Sequence, residues 1–332
     1  MKDLIKKLVE SVGPSGFETA VRDLIGSEIK DLADEIHVDA LGNLVARKGS
    51  KGTDGKRIML SAHMDEIGVM ATHIDEKGFV RFTTLGGVRP HTCYGSRVRF
   101  VNGVGGMIGG ERLEAADKVH TFEQLYIDVG ATNRANCPIH VGDAGVFDRP
   151  MLDLGDRIIS KAMDNRISCA VLIETLRRLQ DTPNEVIFVF STQEEVGLRG
   201  ATTAAYAVDP EIGISVDVTG VGDTPRASRM EVSLGQGPTV KVRDGGMISD
   251  PRLVRFMADS AEKAGIPYQL EILEGGTTDA RAMQISRAGM PASCVSIPTR
   301  YIHSPSEMVD YNDVLNAVKL LIELISHPIQ LP

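Results

Sequence analysis

Two runs of branched apolar residues, Glu185–Ser191 and Ile212–Val218, constrain this chain more than any other feature. Neither run alternates apolar with polar. A strand with one wet face alternates with period two, so an unbroken apolar strand must be covered on both faces, as in an α/β fold. Neighbouring segments supply candidate covering helices. Ser15-Gly-Phe-Glu18 fits a capping box ahead of an apolar stripe at Val21, Leu24, Ile25 and Ile29. Ile167, Ala170, Val171, Leu172, Leu176 and Leu179 predict a helix packed on a sheet. Asp250-Pro251 opens another that reaches Ala264-Gly265, and Asp310 to Ile325 forms the last. Further strands are predicted at Glu35–Val38, Asn43–Ala46, Arg57–Ala62, Tyr268–Ile272 and Ala292–Ile297.

Residues from Val69 to about Ser160 have a different texture. Short alternating runs such as Gly78-Phe-Val-Arg-Phe-Thr and Ser96-Arg-Val-Arg-Phe-Val are separated by glycines and prolines. Long helical patterns are nearly absent, which predicts an all-β domain. The expected architecture is α/β, a mixed sheet with helices on both faces, formed by residues 1–66 and 161–332. An all-β domain, residues 67–160, is inserted between its two pieces.

The chain has 332 residues, 42% of them hydrophobic and 24% charged, which suits a soluble globular protein with a core that needs no staples. A net charge of −9 argues against sequence-independent nucleic-acid binding. The N-terminal Met1-Lys-Asp-Leu-Ile-Lys-Lys lacks the apolar stretch of a signal peptide, and no run is long enough to cross a bilayer. Cys93, Cys137, Cys169 and Cys294 are scattered, form no C-x-x-C, and read as reduced thiols. The expectation is a cytoplasmic protein with neither membrane nor nucleic-acid partner.

Five separated segments place acids or histidines where a parallel sheet puts its ligand crevice, at the carboxyl ends of strands. They are Ser61-Ala-His63-Met-Asp65-Glu66, Lys161-Ala-Met-Asp164, Gln193-Glu194-Glu195, Ser215-Val-Asp217-Val and Tyr301-Ile-His303. Singly, each has a bland reading: His63 as a satisfied strand-end histidine, Asp164 as an N-cap, His303 as a loop histidine. Asp217 is harder to dismiss, because an aspartate inside an apolar run is costly unless paired, hydrogen-bonded or metal-bound. His63 and Asp65, two apart on a strand, face the same side, so Asp65 could orient a ligating His63. Two histidines and three carboxylates, without cysteine, suit a pair of borderline divalent ions such as Zn²⁺ or Co²⁺. Gly103-Val-Gly-Gly-Met-Ile-Gly109-Gly110 does not match G-x-G-x-x-G and reads as a turn with a bulge. No G-x-S-x-G elbow appears.

In order along the chain, Gly13-Pro-Ser-Gly16, Ala62-His-Met-Asp-Glu-Ile-Gly68, Lys161-Ala-Met-Asp-Asn-Arg166, Gln193-Glu-Glu-Val-Gly197, Val216-Asp-Val218, Gly275-Gly-Thr277 and Arg300-Tyr-Ile-His-Ser-Pro-Ser-Glu307 resemble the motifs of the M42 peptidases. That resemblance implies a zinc-peptidase-like catalytic domain, an aminopeptidase acting on peptides, and two divalent metal ions per subunit. It implies that His63 and Asp217 bind one ion, that Glu195 and His303 bind the other, and that Asp164 bridges both. Glu194 is implied as general base and Asp65 as the partner of His63. A cis peptide after the bridging aspartate is also implied. Asn165 stands where the family often has Asp, at a position that is not a ligand. The insert is implied to be a β-barrel-like dimerisation domain, with dimers assembling into a tetrahedral homododecamer. Segments Gly245–Ile248 and Gly275–Gly276 carry no charged cluster, which leans towards neutral aliphatic N-terminal residues. Two other readings compete. One is a metal-dependent deacylase of small amides. The other is an endoglucanase-like glycoside hydrolase, disfavoured by the absence of Trp and by 5% aromatics.

Overall fold

The computed structural model describes residues 1–115 and 118–331. The chain opens with α1 (Lys2–Glu10), α2 (Thr19–Ile29), β1 (Glu35–Val38), β2 (Leu44–Lys48) and β3 (Arg57–His63). There follow β4 (Gly68–Ile74), β5 (Val80–Leu85), α3 (Pro90–Cys93), β6 (Arg97–Phe100), β7 (Gly105–Gly110), β8 (Leu125–Asp128) and β9 (Ala144–Phe147). Next come β10 (Leu152–Asp153), β11 (Arg157–Ser160), α4 (Met163–Arg178), β12 (Glu185–Ser191), α5 (Arg199–Val208), β13 (Ile212–Thr219) and β14 (Thr239–Arg243). The last elements are α6 (Pro251–Lys263), β15 (Gln269–Ile272), α7 (Asp279–Gln284), β16 (Ala292–Arg300), β17 (Glu307–Asp310) and α8 (Tyr311–Ile325).

Eleven strands form one mixed sheet. At its centre β12, β3, β13 and β16 lie side by side and parallel. β2 and β1 add antiparallel at one edge, and β17, β11 and β10 at the other. β14 adds antiparallel to β16 and carries β15 parallel.

The unbroken apolar runs are explained by two opposed cores. On β12, Val186, Phe188 and Phe190 enter one core with Leu8 of α1, Ile25 of α2, Val171 of α4 and Leu321 of α8. The alternate residues Ile187 and Val189 enter another, with Ala204 of α5 and Met283 of α7. Each large side chain so buried contributes about 1.5–3 kcal/mol. Both faces are covered, as expected for strands of this composition.

The β-rich segment closes into a small barrel in the order β4-β5-β8-β7-β6-β9. Alternate residues such as Val80 and Phe82, Val98 and Phe100, and Leu125 and Ile127 fill its interior. Closure leaves the barrel no free edge. β10 and β11, which follow it, pair in the large sheet.

Two local expectations fail for identifiable reasons. The Gly103–Gly110 segment is a turn only at its start, where the Gly103 N–H donates to the Phe100 carbonyl (2.8 Å); Gly105–Gly110 is the strand β7, without a bulge. Its glycines admit close neighbours; a Cβ at Gly109 would lie 2.7 Å from the ring of Tyr126. The capping box of α2 does not form either, since Glu18 at the N-cap makes no side-chain cap bond. Glu18 Oε1 instead accepts from the N–H of Gly16 (2.8 Å) and of Gln193 (3.0 Å). Ser15 Oγ donates to Asp65 (2.6 Å). Both side chains have been recruited by the strand ends of the sheet.

Candidate active site

Because β3, β12, β13 and β16 are parallel, their carboxyl ends share one rim. β17 reverses direction and β11 reverses it again, so β11 points to the same rim. His63 ends β3 and Asp217 lies near the end of β13, while Glu194 and Glu195 follow β12, His303 follows β16 and Asp164 follows β11. This is the crevice that parallel sheets offer to ligands.

The structure brings these side chains together around Asp164. His63 Nε2 lies 3.1 Å from Asp164 Oδ1 and 3.7 Å from Asp217 Oδ1. On the other side His303 Nε2 lies 3.3 Å from Asp164 Oδ2 and 3.4 Å from Glu195 Oε2. Two groups of ligand atoms result, each within 4.8 Å: His63, Asp164 and Asp217, and then Asp164, Glu195 and His303. Glu194 Oε2 stands 3.8 Å from His63 Nε2. The Asp164–Asn165 peptide is cis. Asn165 turns away and donates to the carbonyl of Val216 (2.9 Å).

Asp65 sits beneath this cluster. Its Oδ1 is 3.4 Å from His63 Nδ1 and accepts from the Glu194 N–H (3.0 Å), while Oδ2 accepts from the Glu195 N–H (3.2 Å). One carboxylate therefore holds the ring of His63 and the backbone of both glutamates. Glu307 ends the Arg300–Glu307 motif, and nothing local marks it out, yet its carboxylate accepts from the N–H of Asp164 and of His303. Asp279 is a buried acid bonded by Ser191 Oγ (2.6 Å). In the segment before it, Thr278 caps α7, and Gly276, Thr277 and Thr278 line the cleft.

The cleft has a volume of about 430 Å³. The barrel reaches it through the loop after β5. A Cβ at Gly86 would lie 2.7 Å from Glu195 Oε2, and one at Gly87 only 2.2 Å from His303 Nδ1. Five non-glycine residues with positive φ lie in or near this cluster in the chain: Ala162, Gln193, Leu198, Tyr301 and His303 itself. Each such conformation costs about 1–3 kcal/mol and persists only where the surroundings dictate it.

Negative charge is in excess here. Asp164, Glu194, Glu195 and Asp217 face two histidines, while Lys161 and Arg166 pair with Glu66, and Lys241 with Glu271. Burial pushes Glu194 and Asp217 well above the ordinary carboxylate range; neighbouring carboxylates add to this and His63 opposes it. Burial alone would lower His303, but the carboxylates of Asp164 and Glu195 outweigh it and raise the imidazole to about 11. His63 is likewise raised, against burial, by Glu194, Asp164 and Asp65. Glu195 Oε1 is buried with no hydrogen-bond partner among the described residues. Buried carboxylates without cations are costly, so this donor set fits divalent metal ions. Neither group of candidate ligand atoms among the described residues includes a thiol, and burial pushes Cys93, Cys169 and Cys294 up to about 12.

Fold and site together define the class, an α/β peptidase hydrolase with acidic and histidine groups that could hold metal. The chain belongs to the M42 peptidase family: the family model described as M42 glutamyl aminopeptidase matches residues 42–320. It is 38% identical over 334 residues to the lysyl aminopeptidase of Pyrococcus furiosus, covering 96% of this chain and 94% of that one. The structure of an aminopeptidase from the archaeon Desulfurococcus kamchatkensis is similar throughout, with a TM-score of 0.93 at 41% identity and 98% and 94% coverage. The TET1 peptidase of Pyrococcus horikoshii, described as assembling into a tetrahedron or a large octahedral shell, matches with a TM-score of 0.87 at 33% identity and 98% coverage of both chains. The chain is accordingly an aminopeptidase-type hydrolase, and no described helix is long and apolar enough to cross a membrane.

Proposed function

We propose that the chain is a dinuclear-metal aminopeptidase that removes N-terminal residues from peptides. The observation that carries this reading is Asp164, whose two oxygens face two different histidines at 3.1 and 3.3 Å. His63 and Asp217 would hold one ion, Glu195 and His303 the other, and Asp164 would be shared. Zn²⁺ and Co²⁺ both suit these donors. Bound there, the ions would supply Lewis-acid stabilisation of negative charge and lower the pKa of a water.

The chain's own residues do the rest. Glu194 takes a proton from the attacking water and returns it to the leaving amine. Its burial raises its proton affinity, which suits a base working near neutral pH. Asp65 fixes the His63 ring and the backbone of Glu194, which aims the base. The free α-amino group of the substrate docks among the carboxylates, and this restricts cleavage to N-termini.

Residues 1–66 and 161–332 would form the catalytic unit, to which β10 and β11 add in the large sheet, with the barrel of the insert 67–160 mediating pairing. Exposed Tyr94, Val101, Met107, Val119 and Val141 on and around the barrel suit such a surface. Dimers would assemble into a tetrahedral homododecamer in the cytoplasm; likeness to the P. horikoshii TET1 peptidase, described as assembling into a tetrahedron or a large octahedral shell, supports the closed shell. A monomer by light scattering with metal bound would refute assembly.

The activity is tested with chelated protein and a panel of aminoacyl anilides, adding back Zn²⁺, Co²⁺ or Mn²⁺ separately. Restored cleavage of unblocked substrates, with none of N-acetylated ones, is expected. Folded, metal-bound protein that cleaves none of them would sink the reading.

A further inference from the structure

We infer that Glu307 is a positioning residue that sets the distance between Asp164 and His303. The inference rests on the two-metal reading above. Glu307 opens β17, the strand lying between β16 and β11 in the large sheet, and is paired in register with Ser160 of β11. The chain leaves β11 towards Asp164 and leaves β16 towards His303. From the strand between them, one carboxylate grips the first ligand on either side. Glu307 Oε2 accepts from the Asp164 N–H at 3.0 Å, and Oε1 accepts from the His303 N–H at 2.8 Å.

The clamp is not an ordinary ion pair. Glu307 is 1% exposed, and no lysine or arginine among the described residues pairs with it. A carboxylate buried without a cation is costly, and here the two N–H groups are what holds it. His303 needs such a hold more than His63 does. His63 ends a strand inside a parallel ladder, whereas His303 lies in a turn, with φ of 61° and no strand partner. Losing the clamp frees His303 relative to Asp164, so the effect falls on the Asp164–Glu195–His303 group. His63 and Asp217 keep their strands.

Asp313 provides an internal control. It is another buried carboxylate that accepts from two backbone N–H groups, those of Gly235 and Gly237, both at 2.7 Å. Glu307→Gln sets an amide N–H₂ against one of the two N–H donors. Metal-free wild type, Glu307→Gln and Asp313→Asn are titrated with zinc in a calorimeter, and the thermal unfolding of each metal-free protein is recorded. Wild type should take up two ions. Glu307→Gln should keep one at unchanged affinity and bind the other on the order of 10–100-fold more weakly. Asp313→Asn should lose thermal stability comparably and keep both ions. Unchanged affinities in Glu307→Gln, equal weakening of both ions, or the same one-ion loss in Asp313→Asn would each overturn the inference. If Glu307→Gln is insoluble, Glu307→Asp replaces it: the shortened side chain cannot span both N–H groups, and absence of the one-ion loss is again fatal. Fewer than two ions in wild type would instead bring down the two-metal reading, and the clamp with it.

Discussion

His63 and His303 face the same aspartate from opposite sides, and they are held by different means. His63 is 2% exposed, ends a central strand, and has its second nitrogen against Asp65. His303 is 29% exposed, follows its strand into a left-handed turn, and is fixed by Glu307 from below and Gly87 from the side. The adjacent glutamates divide the same way, Glu194 towards His63 and Glu195 towards His303. One half of the site is built by the sheet. The other is built by loops, a single carboxylate and the barrel. Rigidity from a ladder of strand pairings is spread over many bonds, whereas the His303 half depends on a few contacts that one substitution can remove.

The largest expected effect separates chemistry from metal retention. Glu194→Gln should lower kcat by about 10²- to 10⁴-fold. Metal content by elemental analysis should stay at the wild-type level; loss of metal would make Glu194 a ligand and erase the division between the glutamates. Next comes unfolding of the metal-free protein in urea. His63→Ala leaves buried acids without their counter-charge and should cost about 3–5 kcal/mol, whereas His303→Ala, in its half-exposed turn, should cost about 1.5 kcal/mol. Equal losses would break the comparison. Gly87→Ala introduces a Cβ where the His303 ring stands. Activity should fall by about 100-fold, with the far-ultraviolet spectrum unchanged; wild-type kinetics would show that the barrel loop does not support the second half.

The smallest effect lies at the surface and gives the electrostatic contrast. Glu194 is raised by burial among acids, but Glu211 is lowered. Burial alone would raise Glu211, and Lys51, the Arg57 N–H and Lys56 pull it from 4.5 to about 2. A depressed folded pKa stabilises the fold above pH 4.5, and that contribution is lost as pH falls towards about 2. After solvent screening it amounts to about 1 kcal/mol or less. Glu211→Gln should therefore unfold slightly earlier than wild type at pH 7, with the gap closing near pH 2; a constant gap would refute the charge assignment.

What could be read in the sequence was whatever a strand announces locally. The runs Glu185–Ser191 and Ile212–Val218 are parallel neighbours of β3, covered on both faces, and Asp217 stands out because an acid in such a run needs compensation. What could not be read depends on which way a backbone N–H points between distant segments. Glu307 and Asp164 are 143 residues apart, and Ser15 and Asp65 are 50 apart. Ser15 and Glu18 look like a helix cap because their spacing is right, and the strand-end groups compete for the same oxygens and win. Gly86 and Gly87 carry no signal of their own. Their meaning comes from the two side chains pressed against them.

The barrel's place in the chain has a further consequence, for the order of folding. Arg57 of β3 and Glu185 of β12 pair in register although 128 residues separate them. During synthesis β3 therefore emerges long before the partners on either side of it, β12 and β13. The barrel begins with β4 and β5, antiparallel neighbours joined by a short connection, and β6 pairs with the next strand, β7. Such local contacts form early, whereas pairings across long loops form late. The β4–β5 and β6–β7 pairings are therefore expected ahead of those of the large sheet, whose central strand stays an open edge until β12 and β13 arrive. Chaperone capture or aggregation of nascent chains halted before Glu185 should accordingly map to the segment Arg57–His63.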